Sequence, residues 1–273
     1  MDCTEALQLL ADDPSAPLDA AEVTLLLAAD EYPDLDISSY LSRLEEMADR
    51  LRPRLHGSLE QHVRRLSSFL FDDECFTGNS DEYYDPRNSY LNDVIDRRLG
   101  IPITLSVVAI SIGQRAGLEV AGVGLPGHFI AKAVAGDSEI LFDPFHGGQI
   151  LAWSDCERLV GSVTERPFAL TPEALEATPL GVVVMRMLNN LKQIYVQTHD
   201  FERAARAIER QRQLDPRDMS LHRDLGVTMV QANHFGPALD HLQAYLDAVP
   251  GADDHAEVKQ LFRRVRAELA RWN

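Results

Sequence analysis

The chain has 273 residues, 45% of them hydrophobic, and its 43 acidic side chains outnumber 26 basic ones to give a formal charge of −17. That charge repels phosphate backbones and anionic lipid, so neither nucleic acid nor a membrane surface is an expected partner. The three cysteines, Cys3, Cys75 and Cys156, are odd in number and lack C-x-x-C spacing, which argues against a disulfide framework and a cysteine zinc site. No segment holds eighteen uninterrupted apolar residues and the N-terminus is acidic, so the expected compartment is the cytoplasm.

Residues 1–72 read as helical. Asp19 and Glu22 have capping-box spacing before Val23–Leu27. Ser38 or Ser39 opens a helix carrying Leu41, Leu44, Met47 and Leu51, and Ser58 with Gln61 opens another carrying Val63, Leu66 and Leu70. From Phe71 to Asp85 the chain is polar and turn-rich, which predicts a loop. Cys75 lies in it, flanked by Asp72, Asp73 and Glu74, a setting opposite to the electropositive one that activates a thiol.

Next, Asn88 or Ser89 caps a helix whose Leu91, Val94 and Ile95 share a face, with Gly100 as its left-handed end. A largely buried helix starts near Pro102 or Thr104 and stops at Gly117. Three β-type runs follow, Val120–Gly124, Phe129–Val134 and Glu139–Phe142, the last two joined by a tight turn at Ala135-Gly136-Asp137. If that turn pairs Val134 with Glu139, His128 and Asp143 fall on one sheet face as diagonal neighbours within side-chain reach. A slip of one residue would part them.

From Ser154, where Glu157 completes a second capping-box spacing, helices return, and Thr171-Pro172 marks a further start. A repeat then appears: Leu191, Ala204 and Pro216 recur 34 positions later as Leu225, Ala238 and Pro250, and Gly226 follows Leu225. This period resembles tetratricopeptide repeats, in which small alanines let antiparallel helices approach. Two units are recognisable, and a helix over 253–272 would cap them. Such arrays bind peptides in a groove or dock on a neighbouring domain.

The motifs D-P-R-N-S-Y-L, R-R-L-G-I-P-I-T-L-S, P-G-H-F and D-P-F-H-G-G, in that order, resemble the SirB-type transglutaminase-like proteins; E-Y-P-D-L-D extends the likeness toward the N-terminus. The resemblance implies an α+β fold: the helical region 1–72 packed on a core over 73–170, with a short antiparallel sheet and a cysteine-protease-like layout, then repeats and a capping helix over 171–273. In active members a G-x-C opens the central helix, a histidine starts the second strand and an aspartate ends the third. By resemblance His128 and Asp143 hold the last two places, and G-x-C falls on Gly100-Ile101-Pro102, so proline stands where the cysteine belongs.

Two classes of function follow. One is a non-catalytic protein- or peptide-binding protein built on a degenerate transglutaminase-like domain. The other is an acyl-transfer or amide-hydrolysing enzyme with a displaced nucleophile, for which Thr104, Ser106 and Cys75 are candidates. Asn88, Thr104, Ser106 and His146 are further cleft candidates. His128, Asp143 and His146 fit no specific ligand spacing, so neither metal nor cofactor is expected, and the number of subunits is left open.

Overall fold

Helix signals in the first third of the chain convert into helices whose apolar stripes turn inward. The structure, a computed structural model, describes residues 1–166 and 168–272. Its contacts divide the chain into two units, Met1–Ala6 with Ser15–Val184, and Leu7–Pro14 with Met185 onward. The first helices are α1 (Cys3–Asp12), α2 (Ala20–Ala28), α3 (Ile37–Leu51) and α4 (Leu59–Ser67). Asp19 caps α2, its carboxylate accepting the Ala21 and Glu22 N–H groups, and Ser58 with Gln61 closes a full capping box on α4. The cap of α3 is Asp36, accepting from Ser39 N–H; the serines expected in that role already lie inside the helix. After α4 one π-turn spans Ser68–Asp73, so the predicted loop begins later than composition suggests.

The next elements are β1 (Thr77–Gly78), α5 (Leu91–Arg97), β2 (Leu99–Gly100) and α6 (Pro102–Arg115). Tyr90, not Asn88 or Ser89, precedes the first turn of α5, and it makes no side-chain cap. The left-handed end is Arg98, at φ 60°, while Gly100 pairs in parallel with Gly78 across the two-residue strands. A left-handed arginine two residues early lets Leu99 and Gly100 extend for that pairing. Pro102 takes the N1 place of α6, where its missing N–H would have had no intrahelical partner, and the helix is buried from Pro102 through Gly113. It packs against α2, α3 and α5 and against the sheet.

That sheet is an antiparallel meander of β3 (Glu119–Leu125), β4 (His128–Ala135), β5 (Ser138–Asp143) and β6 (Gln149–Leu151), in chain order. The turn at Gly136, φ 57°, pairs Ala135 with Ser138 and Val134 with Glu139, the register the tight turn requires. The three-residue β6, unanticipated in the sequence, pairs with β5 through Leu141 and Leu151. Val123, Leu125, Ile130, Leu141 and Leu151 share a core with Cys156 and Val160 of α7 (Trp153–Thr164). The start of α7 is also corrected: β6 ends at Leu151, so the helix must begin at once, and Asp155 reaches back to accept the Ala152 N–H. Glu157, expected as the box partner of Ser154, instead accepts from Leu170 N–H. Thr171-Pro172 opens only a 3₁₀ turn, Pro172–Leu175.

The remaining helices are α8 (Leu180–Gln197), α9 (Phe201–Leu214), α10 (Ser220–Gln231), α11 (Phe235–Ala248) and α12 (His255–Trp272). The period of 34 is written in the backbone as well as in the side chains. Left-handed His199 and Asn233 make equivalent turns, and Asp200 N–H to Tyr195 O is matched by His234 N–H to Met229 O. Ala204 and Ala238 are both fully buried, and Gly226 lies where a Cβ would come within 2.7 Å of Leu242. Among the described residues no helix is long and apolar enough to cross a membrane.

Candidate functional site

The site is built by a strand start, a strand end and the turn that follows. The pairing of Ala131 with Phe142 sets Ile130 opposite Asp143, and His128, two residues along, shares its face. The structure brings the pair together: His128 Nε2 lies 2.8 Å from Asp143 Oδ2. Pro144–His146 then form a 3₁₀ turn capped by Asp143 itself, whose Oδ1 accepts Phe145 N–H at 3.0 Å. The turn swings His146 back, so that its Nδ1 lies 2.7 Å from the same Oδ2. Gly147 and Gly148, at φ 69° and 72°, return the chain to β6.

Two imidazoles thus converge on one carboxylate oxygen. Asp143 is inaccessible and His128 nearly so, whereas His146 is exposed. The rings of the two histidines stack at 5.8 Å, and the Phe145 ring stands edge-on to both. Phe145 can lie there because Gly78 lacks a side chain; a Cβ at that position would come within 2.7 Å of the Phe145 ring and carbonyl. Burial alone would raise the Asp143 pKa, but the hydrogen bonds and charges of His128 and His146 outweigh it and hold the carboxyl below its usual value. With the carboxylate ionised, both facing nitrogens donate to it. Phe145 escaped the sequence reading; the aromatic inside D-P-F-H, next to a candidate acid, was the available signal.

The Thr104 hydroxyl donates to Asn88 O at 2.7 Å and accepts Ile101 N–H at 3.1 Å, closing the first turn of α6. Ser106 is fully buried and its Oγ has no hydrogen-bond partner among the described residues. Cys75 is exposed in a left-handed conformation, its Sγ nearest the carbonyls of Asp72 and Asp73.

Asn88 is a latch rather than a cleft residue: its amide donates to Glu82 O at 2.7 Å and accepts from Asn79 at 3.0 Å, fastening the loop over 79–82 to the turn ahead of α5. Asn88→Ala leaves the buried Asn79 amide without its acceptor, and such a loss costs about 2 kcal/mol. A urea midpoint equal to that of the unaltered chain would refute the latch.

Residues 38–189 match the transglutaminase-like superfamily, and residues 191–263 match the tetratricopeptide repeat. A UPF0162 protein of Xylella fastidiosa is 36% identical over 248 residues, 88% of this chain and 86% of that protein. The chain belongs to the transglutaminase-like superfamily. UPF0162 protein PA3419 of Pseudomonas aeruginosa is 27% identical over 191 residues, covering 69% of this chain and 68% of its own. Human F-box only protein 21 is 30% identical over 139 residues, 48% of this chain but 21% of that protein. Among solved structures menin is similar at a TM-score of 0.42 and 10% identity, over 90% of this chain and 70% of its own, a likeness too loose to bear on function. The transglutaminase-like match covers α3 through the sheet and into α8, so the paired His128 and Asp143 lie wholly inside it.

Proposed function

We propose that the protein is a non-catalytic binding protein, whose transglutaminase-like domain keeps the His–Asp pair as a brace and whose repeats receive a protein or peptide. What supports this reading is Pro102, a buried residue at the N1 place of α6 with neither a side-chain heteroatom nor an N–H. Acyl transfer needs a nucleophile whose proton a histidine can take. The nearest hydroxyl in sequence, on Thr104, is committed to Asn88 O, and Ser106 is closed to solvent.

The repeat unit offers a cleft of about 390 Å³ between α8 and α10, with Ile208 of α9 in its lining. Its walls carry exposed Val196 and Val227 beside Lys192, Arg223 and Asp224. Lys192 and Arg223 both reach Asp224, which leaves a mixed polar rim around two apolar contacts.

The test incubates the purified protein with an amine donor and a broad set of glutamine peptides, alongside His128→Ala. The expected result is no turnover above background. Turnover that His128→Ala abolishes would overturn the reading and send the search for a nucleophile to Ser106 and Cys75. For the repeats, Val196→Glu with Val227→Glu is expected to weaken any partner identified by site-specific crosslinking from this cleft by tenfold or more, roughly the effect of charging an apolar contact at about 1.4 kcal/mol per decade. An undiminished partner would place its site elsewhere.

A further inference from the structure

The groups around Asp143 are also a ligand set. Two imidazole nitrogens and one carboxylate oxygen are donors suited to borderline divalent ions, and here the three atoms all lie within 4.8 Å of one another. We propose that His128, Asp143 and His146 bind a divalent transition-metal ion of the Zn²⁺ class, with a remaining coordination position open toward solvent.

The convergence carries this assignment. His128 Nε2 and His146 Nδ1 both aim at Asp143 Oδ2, at 2.8 and 2.7 Å, from rings stacked 29° from parallel. Tetrahedral Zn²⁺ with bonds of about 2.0–2.1 Å holds adjacent donors about 3.3 Å apart, so each imidazole has to withdraw by roughly half an ångström. His146 can do so, because it is exposed and sits on a three-residue turn that ends in two left-handed glycines.

The carboxylate is already oriented for the task. Phe145 N–H holds Oδ1, leaving Oδ2 as the ligand, and a bond of this kind from outside the ligand set is what metal sites use to fix a carboxylate. Buried His128 and Asp143 back the site, and exposed His146 leaves a path for entry. One carboxylate and two nitrogens suit Zn²⁺ and its neighbours, not Ca²⁺ or Mg²⁺, which take oxygen sets. The proposal does not depend on the interaction reading, since a bound ion is compatible with it or with hydrolysis.

The rival site is the pair His222 and His241, whose Nδ1 atoms are 3.0 Å apart, with no carboxylate among the described residues in hydrogen-bond contact with either. The experiment therefore uses the full chain without a histidine tag, stripped with a chelator, titrated with Zn²⁺ against a chromophoric chelator and followed with Co²⁺ by its visible bands. The expected result is one ion per chain, an intense Co²⁺ spectrum, and a loss of affinity on the order of tenfold to a hundredfold or more in His146→Ala. His222→Gln is expected to bind as the unaltered chain does, and excess Mg²⁺ or Ca²⁺ not to compete. Because His146 is exposed, His146→Ala keeps the His128–Asp143 bond and its fold can be checked by circular dichroism. Absence of saturable binding at one equivalent, unchanged affinity in His146→Ala, or loss of affinity in His222→Gln would each overturn the proposal.

Discussion

Replacing Asp143 by alanine is expected to lower the stability of the transglutaminase-like domain by about 3–5 kcal/mol, the usual loss when one partner of a buried polar pair is removed. Three donors lose their acceptor at once: His128, His146 and the Phe145 N–H. Asp143→Asn keeps the shape but not the charge and is expected to lose less. The pH dependence separates charge from shape. The folded carboxyl titrates below its unfolded value of about 3.9, so the stability it contributes is complete above that value and is lost as pH falls through the lower, folded one. Urea midpoints in chelator, taken from neutral pH downward, are expected to show a gap between the unaltered chain and Asp143→Asn that narrows below about pH 4. A gap that widens as pH falls toward about 4 and is flat below it would mean that burial, not the histidines, governs Asp143.

Gly226→Val is expected to destabilise the repeats by about 3 kcal/mol, the upper end of what overpacking costs. Added to this glycine, a Cβ meets Leu242 Cγ at 2.7 Å and Ala238 O at 3.2 Å, and both residues are fully buried. Even Gly226→Ala discriminates, because helix propensity alone predicts a gain of about 1 kcal/mol for alanine over glycine within a helix. Packing predicts the opposite sign. Hydrogen exchange of α10 and α11 amides is the direct measurement, with β4 and β5 amides as internal control. A Gly226→Val protein whose α10 amides stay fully protected would show that the repeat helices can separate without loss.

What the sequence revealed, and what it hid, follows from the range of each signal. The Gly136 turn fixes the β4–β5 register, and the register alone brings His128 onto Asp143. The repeat is legible because Leu191, Ala204 and their partners 34 residues on are all buried, so packing constrains each of them to a small or apolar side chain. Caps were misplaced wherever a better acceptor stood nearby, as Asp36 did ahead of Ser38 and Asp155 after Ser154. Nothing in the sequence marks Asn88 as a latch, because its partners are carbonyls and an amide five to nine residues away, which no periodicity encodes. His146 could be named but not placed, since a 3₁₀ turn of three residues has no pattern to read.

The sheet order β3-β4-β5-β6 has a further consequence. Each pairing joins strands adjacent in the chain, so closing the sheet fixes only short loops, whose entropy cost grows slowly with length. His128, Asp143 and His146 enter the fold on two consecutive strands and one turn, whereas position 102 arrives on a separate helix. The histidine–aspartate bond is thereby set by the β4–β5 register, even though α6 packs on β4 and on the Pro144–His146 turn. A change of residue at position 102 does not touch that register, so the polar pair can persist for its strength or serve another ligand.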